Sequence, residues 1–227
     1  MDDTDRMAVV RALALALLAA VSLSCAAAPF AVRLGEGRIV LDAPAGFSDT
    51  LDLGSPRLQE LAESLTSASN RILLFALTDA DLRSFSAGDT PALRRYVLVA
   101  TPRAAERDSL GLSQFRAYAA DAVRALGSPL EPADLRAALD QQPPGRAVLL
   151  RELRRETLSV SLLAGTRLPA QKGDPVEYLL FTSTHLLLRG KVVAASVYTR
   201  YASDADLEWL LEETRRWTDE LSNLNSR

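Results

Sequence analysis

The chain contains one histidine, His185, so a Ser-His-Asp triad, a Cys-His pair or a histidine-ligated metal could be built only around that residue. The nucleophile-elbow pattern G-x-S-x-G is absent, because the nearest match, Gly111-Leu112-Ser113-Gln114-Phe115, lacks the second glycine. Alternation along its segment places His185 on the same face as Leu179, Phe181 and Leu187. These apolar neighbours favour a packed histidine over a catalytic one.

Two groups of acidic residues could bind a cation or act as an acid–base pair. Asp79, Asp81 and Asp89 fall between two predicted strands. Calcium loops require closer oxygen spacing and a final bidentate glutamate, and the sequence here has neither feature. A similar polar group follows the first predicted hairpin and contains Ser48, Asp49, Asp52 and Gly54. We expect both groups to be solvated loops.

Three groups of arginines could form an anion-binding or lipid-headgroup patch if the fold brings them together. They are Arg94 with Arg95, Arg103 with Arg107, and Arg151 with Arg154 and Arg155. Glu152 and Glu156 interleave the third group, so ion pairs between neighbouring strands explain that group as well.

The only cysteine, Cys25, ends an uncharged run of thirteen residues, Ala12–Ser24. The run has the length of a signal-peptide core and is shorter than the roughly 20 residues that a membrane-spanning helix needs. We therefore expect residues 1–26 to be a signal peptide. Met7 is the better initiator, because Met1–Arg6 carries three acids and one arginine. Three outcomes stay open: ordinary leader cleavage, lipidation at Cys25, or an uncleaved anchor.

Composition narrows the class of protein further. The chain has 26 Lys+Arg against 29 Asp+Glu, a net charge of −3, which gives no electrostatic reason to expect nucleic acid as a partner. A hydrophobic content of 48% in 227 residues is enough for one sizeable core, which we place in a single domain over residues 27–227. One cysteine excludes an internal disulfide framework, and one histidine with one cysteine argues against a transition-metal site. We expect neither a metal nor a cofactor.

Strand patterns occur mostly as adjacent pairs along the chain. Two β-hairpins are predicted, at 30–43 around Gly35-Glu36-Gly37 and at 176–201 around Arg189-Gly190. Buried strands are predicted at 70–78 and 93–101, and strand character is expected throughout 148–168.

Helices are predicted between these strand groups. The first begins at Ser55-Pro56 and ends at Asn70, and the second covers 110–126. The third occupies a short stretch before Pro143-Pro144, and the last follows Ser203 to the C-terminus. The last helix carries two tryptophans, for which core packing is favoured over a docking face. This order predicts an α+β fold, an antiparallel sheet of about six to seven strands packed against several helices.

The segment around the last helix contains Tyr201-x-Ser203-x-x-Asp206, followed by Trp209 and Trp217. It resembles the end of a group of uncharacterised proteobacterial exported proteins, over about a fifth of the chain. The order of elements is similar to that of the photosystem II extrinsic subunit P (PsbP-like) and DcrB-like folds. Proteins of those folds mostly act as non-catalytic accessory or binding factors, so the resemblance implies no active site.

These observations give one leading hypothesis and two alternatives. The leading one is a non-enzymatic exported accessory or interaction factor, in the periplasm or tethered as a lipoprotein in a Gram-negative bacterium. Its partner would be an envelope protein or a membrane surface. The first alternative is an exported hydrolase using His185 or the loop aspartates. The second is a small anion- or lipid-binding protein with a pocket between sheet and helices.

Overall fold

The structure, a computed structural model, describes residues 28–169, 173 and 175–226. Nine strands lie in this part: β1 (Phe30–Leu34), β2 (Gly37–Leu41), β3 (Phe47–Asp49), β4 (Asn70–Thr78), β5 (Arg95–Pro102), β6 (Val148–Arg155), β7 (Ser159–Arg167), β8 (Tyr178–Leu188) and β9 (Lys191–Arg200). Its five α-helices are α1 (Pro56–Ser64), α2 (Asp79–Ser86), α3 (Leu112–Leu126), α4 (Leu135–Asp140) and α5 (Asp204–Leu224).

Strands β3 to β9 form one seven-stranded antiparallel sheet in the order β3-β4-β5-β9-β8-β7-β6, and β1 and β2 pair as a separate hairpin. Every pairing between neighbouring strands is antiparallel. The α+β class predicted from the sequence is therefore confirmed. The last strand in the chain, β9, lies at the centre of the sheet, because it pairs with β8 on one side and with β5 on the other.

Helix α5 covers the first face of the sheet, where it packs on β8, β9 and the β1–β2 hairpin. Its residues Leu210, Trp217 and Leu221 are fully buried, as helical spacing requires for one face. Each such side chain contributes about 1.5–3 kcal/mol of burial free energy. Trp217 confirms the prediction of core packing, whereas Trp209 is only partly buried.

The second face carries two separate apolar clusters. One lies under α1 and includes Leu58, Phe75 and Tyr96, on the β4–β5 side of the sheet. The other lies under α3 and includes Phe115 and Val160, on the β6–β7 side. The helices therefore cover the two flanks of this face.

The β8–β9 connection confirms the predicted hairpin and its turn. Arg189 and Gly190 both have positive φ, 51° and 79°. A two-residue turn of this kind needs positive φ at both central positions, which matches the twist of the strands it joins.

Two predicted boundaries are wrong. The segment at Asp79–Ser86, expected to be part of a loop, is the helix α2, because the Thr78 side chain accepts the Asp81 N–H and two acids occupy the first turn. The helix that begins at Pro56 ends at Ser64 rather than at Asn70.

The predicted signal peptide, residues 1–26, and the lipidation candidate Cys25 lie outside the described residues and stay predictions. Among the residues that the structure describes, none of the helices has both the length and the apolar character needed to cross a membrane.

Candidate functional site

His185 is packed beneath helix α3, as the alternation of β8 predicted. Its side chain is 8% exposed, and the Tyr118 ring meets it edge-on with 5.5 Å between ring centroids. Burial lowers the pKa of His185 to about 4, so the ring is neutral at neutral pH. Nδ1 has no hydrogen-bond partner among the described residues, so the orienting group that a catalytic base normally has is absent there.

Asp79 and Asp81 both serve the start of α2. The Asp79 carboxylate accepts a hydrogen bond of 2.8 Å from the Ser48 hydroxyl. Asp81 accepts the Ala92 N–H at 3.0 Å, so it fixes the chain beyond the helix. Asp89 accepts the Ser84 hydroxyl at 3.3 Å. These contacts give all three aspartates structural roles.

Asp49 ties strand β3 to its neighbour β4. One of its carboxylate oxygens accepts the N–H groups of Leu51 at 3.2 Å and Phe75 at 3.3 Å. Burial raises the pKa of this carboxyl, although the two N–H donors oppose the effect. In the part of the chain that the structure describes, histidine, cysteine, aspartate and glutamate nowhere gather in threes as a metal site would require.

The arginine groups singled out in the sequence lie apart from one another. In the third group, Arg155 makes a bidentate contact with Glu152, with both distances 2.7 Å, and Arg154 contacts Asp219 at 2.9 Å. Arg151 lies 3.3 Å from Glu131. Ion pairs therefore occupy this group, but the prediction that they join neighbouring strands is wrong, because the partners lie on β6 itself, in the loop before α4 and on α5.

In the other two groups the side chains of Arg103 and Arg95 have local partners, and Arg107 makes a contact through its backbone carbonyl. Arg103 donates to the Ala68 carbonyl at 3.2 Å, and the Arg107 carbonyl accepts from the buried Lys191 ammonium at 3.2 Å. Arg95 lies 3.3 Å from Asp206, with its guanidinium 4.0 Å from the centre of the Trp209 ring. The three groups therefore do not combine into the single patch considered from the sequence.

Asp206 of the C-terminal motif completes the N-terminal cap of α5. Burial would raise its pKa, but N–H donors from Ala202 and Ser203, at 3.0 and 3.1 Å, together with Arg95, hold the pKa below its usual value. The motif Tyr-x-Ser-x-x-Asp is thus a helix-capping arrangement here.

The two faces of the central strands β8 and β9 differ in burial. On β8 and β9, the first-face residues Leu180, Thr182, Ala195 and Val197 are buried under α5. Six second-face residues of the same strands remain partly exposed. One is Arg200, and we name the other five the open strip: Leu179, Phe181, Ser183, Ala194 and Tyr198. The strip lies between the flanks that α1 and α3 cover.

A row of aromatic rings crosses the open strip. Tyr96, Tyr198 and Phe181 are register partners on β5, β9 and β8. The two tyrosine rings stack with centroids 4.4 Å apart, and the Phe181 ring lies 5.3 Å from that of Tyr198. Burial raises the pKa of both tyrosines, so both are neutral at neutral pH.

Arginines border one end of the open strip. The Arg200 N–H donates to the carbonyl of Arg94, which directly precedes β5, at 2.8 Å. Strand alternation places Arg200 on the face of Tyr198. A cavity of about 520 Å³ beyond this end is lined by Arg94, Arg136 and Arg200, with Glu177, Tyr178 and Tyr201 among its other residues, and it includes no residue of the open strip. Arg200 forms an ion pair with Glu177.

Sequence reasoning singled out Arg94 but neither Arg136 nor Arg200. Only the pairing of β5 with β9 and the position of α4 bring the three together. The alternating pattern of β8 and β9 is the sequence signal that could have identified the open strip, because it indicates which residues share a face of the sheet.

No protein-family model and no curated protein matches the chain. Among solved structures, the chain is similar to the Ran-binding protein Mog1p of Saccharomyces cerevisiae, with 13% sequence identity and a TM-score of 0.37 over 88% of this chain and 94% of that one. At that level the similarity carries no inference about function, and the resemblance of the C-terminal segment to proteobacterial exported proteins stays a prediction.

Proposed function

We propose that the protein is a non-enzymatic exported accessory factor that works by binding, with the open strip as its interaction surface. The observation that carries the proposal is the contrast between the two faces of β8 and β9. One face is sealed by α5, whereas the other leaves the rings of Phe181 and Tyr198 partly in contact with solvent. Partly exposed aromatic side chains are enriched at binding surfaces.

The residues that could have supported catalysis favour the same proposal. His185 is buried and neutral, and its Nδ1 is unpartnered among the described residues. The aspartates considered as acids or bases hold α2 and β3 in place instead. An exported hydrolase remains the alternative, and it would have to use these same residues.

The proposal of export rests on the leader sequence. The uncharged run Ala12–Ser24, followed by Cys25, is typical of a signal peptide or of a lipoprotein signal. An exported binding factor would meet an envelope protein or a membrane surface. Intact mass and N-terminal sequencing of the protein from native cell fractions test this part. An acylated N-terminus at Cys25 indicates a tethered lipoprotein, whereas an uncleaved chain in the cytoplasm contradicts export.

Complementation of a strain that lacks the gene tests the binding role. We expect Phe181→Ser and Ser183→Trp to abolish complementation, because the first removes a ring of the strip and the second fills it. His185→Gln, Asp79→Asn and Asp89→Asn should complement fully. Thermal unfolding of each purified variant controls for folding. Complementation by both strip variants, or its loss in a folded His185→Gln variant, would overturn the proposal.

A further inference from the structure

The cavity of about 520 Å³ lined by Arg94, Arg136 and Arg200, here named the arginine cavity, lies at the end of the sheet where β8 begins and β9 ends. It shares no lining residue with the open strip. Its charged residues come from separate parts of the chain: Arg94 directly precedes β5, Arg136 lies in α4, Glu177 directly precedes β8 and Arg200 ends β9. Its volume falls in the range that small ligands occupy, roughly 300–1,000 Å³.

The lining of the arginine cavity is positively charged. Among the described residues, its charged groups are three arginines and one glutamate, so it carries two net positive charges in a chain whose net charge is −3. A phosphomonoester carries about −1.5 to −2 at pH 7, whereas a carboxylate or a phosphodiester carries about −1. The phosphomonoester is therefore the anion whose charge matches this lining.

The other carboxylates near the arginine cavity are engaged elsewhere. Asp140 accepts the Tyr178 hydroxyl at 2.8 Å, and Asp204 accepts the Tyr201 hydroxyl at 2.9 Å. Asp134 caps the N-terminus of α4. None of these three carboxylates lines the cavity, so none of them occupies the place of an incoming anion.

Two of the three arginines have no carboxylate partner in the part of the chain that the structure describes. Arg200 forms an ion pair with Glu177, but neither Arg94 nor Arg136 has a carboxylate oxygen within 4.0 Å. An anion in the cavity therefore meets two guanidinium groups that no carboxylate already holds. Glu177 is the lining group that competes with the anion, and it does so at Arg200.

Arg136 is held in place before any anion binds. Its guanidinium carbon lies 5.5 Å from the centre of the Tyr201 ring and 6.0 Å from the centre of the Tyr178 ring, and its side chain donates to the Ala202 carbonyl. A guanidinium has five N–H donors, so donors remain for an anion, and part of the entropy cost of ordering the side chain is already met. Strand alternation places Tyr178 and Arg200 on opposite faces of the sheet, so Arg136 and Arg200 reach the cavity from opposite faces.

We propose that the arginine cavity binds a soluble phosphomonoester, with the phosphate held by Arg94, Arg136 and Arg200. The phosphate replaces the Glu177 carboxylate as the partner of Arg200. Arginine suits this role because its planar fork of N–H donors matches the oxygens of a phosphate. The site does not depend on the proposed function, because the cavity and the open strip have no residue in common.

Calorimetric titration of the purified protein with glycerol 3-phosphate and with phenyl phosphate tests the ligand class. We expect at least one of these esters to bind with a Kd of about 1 mM or lower. Dimethyl phosphate, a phosphodiester with a single charge, should bind at least tenfold more weakly than the ester that binds. Absence of binding by both monoesters would overturn the proposal. Equal affinity for dimethyl phosphate would overturn it too, because the second charge would then contribute nothing.

Two variants with opposite expected effects test the assignment to these residues. Arg94→Gln with Arg136→Gln should weaken binding about tenfold or more, since a hydrogen bond to a charged group contributes about that factor or more. Glu177→Gln should strengthen binding, because the group that competes for Arg200 loses its charge. Unchanged affinity in the double arginine variant, or a Glu177→Gln affinity no higher than that of the wild type, contradicts the assignment.

The matched control for the loss of two positive charges is Arg33→Gln with Arg38→Gln, two exposed arginines paired across the β1–β2 hairpin. We expect no change in its affinity for the ester. Thermal unfolding of each variant checks its folding. Arg94→Gln alone, at an exposed position, keeps the test decisive if the loss of Arg136 unfolds the protein, and it too should weaken binding.

Two further measurements separate this site from a lipid site and from the open strip. Phosphatidic acid also carries a phosphomonoester, and we expect no flotation of the protein with phosphatidic acid or phosphatidylcholine vesicles. Flotation with phosphatidic acid vesicles that is lost in the double arginine variant would overturn the soluble source of the ligand. Phe181→Ser, in the open strip, should leave the affinity for the ester unchanged, and a tenfold loss there would contradict a site confined to the arginine cavity.

Discussion

Asn225 pairs with the backbone of Val40 in the way that a neighbouring strand would. Its Oδ1 accepts the Val40 N–H at 2.9 Å, and its Nδ2 donates to the Val40 carbonyl at 2.8 Å. Nδ2 also donates to the Leu221 carbonyl at 2.8 Å, near the C-terminus of α5. One amide side chain therefore satisfies the free edge of β2 and the end of a helix 185 positions away along the chain.

This relationship predicts that Asn225→Asp is strongly destabilising. One carboxylate oxygen can still accept the Val40 N–H. The other replaces the Nδ2 donor with an acceptor, which then faces the carbonyl oxygens of Val40 and Leu221. We expect a loss of about 2–3 kcal/mol in the free energy of unfolding, measured by urea denaturation. Asn223→Asp, at an exposed position on the same turn, is the control and should change stability by less than about 0.5 kcal/mol. Equal effects in the two variants would contradict the structural role of Asn225.

Local pattern was sufficient to predict the hairpins and the face that each strand residue takes. Arg189-Gly190 predicted the β8–β9 turn, and alternation placed His185 on the correct face, because both depend on neighbours in sequence. The helix α2 was missed because it has only eight residues, most of them polar, and such a segment is too short to show a helical repeat of apolar residues. Its cap, Thr78, was the available signal.

The arginine cavity could not be predicted from local pattern. Arg94, Arg136 and Arg200 come from β5, α4 and β9 or the residues next to them, and they meet because β9 inserts beside β5 in the sheet. The order of strands in the sheet depends on how the apolar residues of the whole chain are buried together, and no short stretch of sequence specifies it. The arginine groups that are adjacent in sequence proved less informative, since they are separated in space.

Lys191 gives a second prediction about how β9 and the loop before α3 are held together. Its ammonium, in a side chain only 3% exposed in total, donates to the carbonyls of Glu106, Arg107 and Asp108 at 3.3, 3.2 and 2.6 Å. Lys191→Met keeps the apolar stem but leaves these carbonyls without their donor. We expect a loss of about 2 kcal/mol in unfolding free energy and faster hydrogen exchange in residues 103–110.

Loss of a positive charge alone could also alter stability, so the Lys191 experiment needs a matched control. Arg116→Met removes a charge at an exposed position of α3, and it should leave both the unfolding free energy and exchange in residues 103–110 unchanged. A Lys191→Met protein that behaves like this control would show that the three carbonyl contacts do not stabilise the loop.

The two tryptophans are expected to differ sharply in their contribution to stability. Trp217 is fully buried, and its indole N–H donates to the Asp42 carbonyl at 2.8 Å, so Trp217→Phe loses a hydrogen bond and leaves unfilled volume. We expect a cost of about 2–3 kcal/mol. Trp209 is partly exposed against Phe47, and Trp209→Phe should cost less than about 1 kcal/mol. Urea titration followed by the remaining tryptophan's fluorescence measures both, and a reversed order would refute this packing.

The buried neutral state of His185 predicts a dependence of stability on pH. Its pKa is about 4 in the folded protein, lowered by burial from an ordinary value of 6.5. The unfolded chain therefore takes up a proton between pH 6.5 and 4 while the folded chain does not. The contribution of neutral His185 to stability is complete above pH 6.5 and is lost as pH falls toward 4, by about 3 kcal/mol in total.

His185→Leu isolates this effect because His185 is the only histidine in the chain. The buried carboxyls Asp42 and Asp49, whose pKa values are raised by burial, oppose the trend by favouring the folded state as pH falls, but they are present in both proteins. The difference in unfolding free energy between His185→Leu and wild type should therefore grow as pH falls from 6.5 to 4 and level off below. We expect the variant to match or exceed the wild type at pH 7, because an apolar group replaces a buried nitrogen that has no partner among the described residues. A difference that stays constant from pH 7 to 4 would mean that His185 is not held neutral by burial.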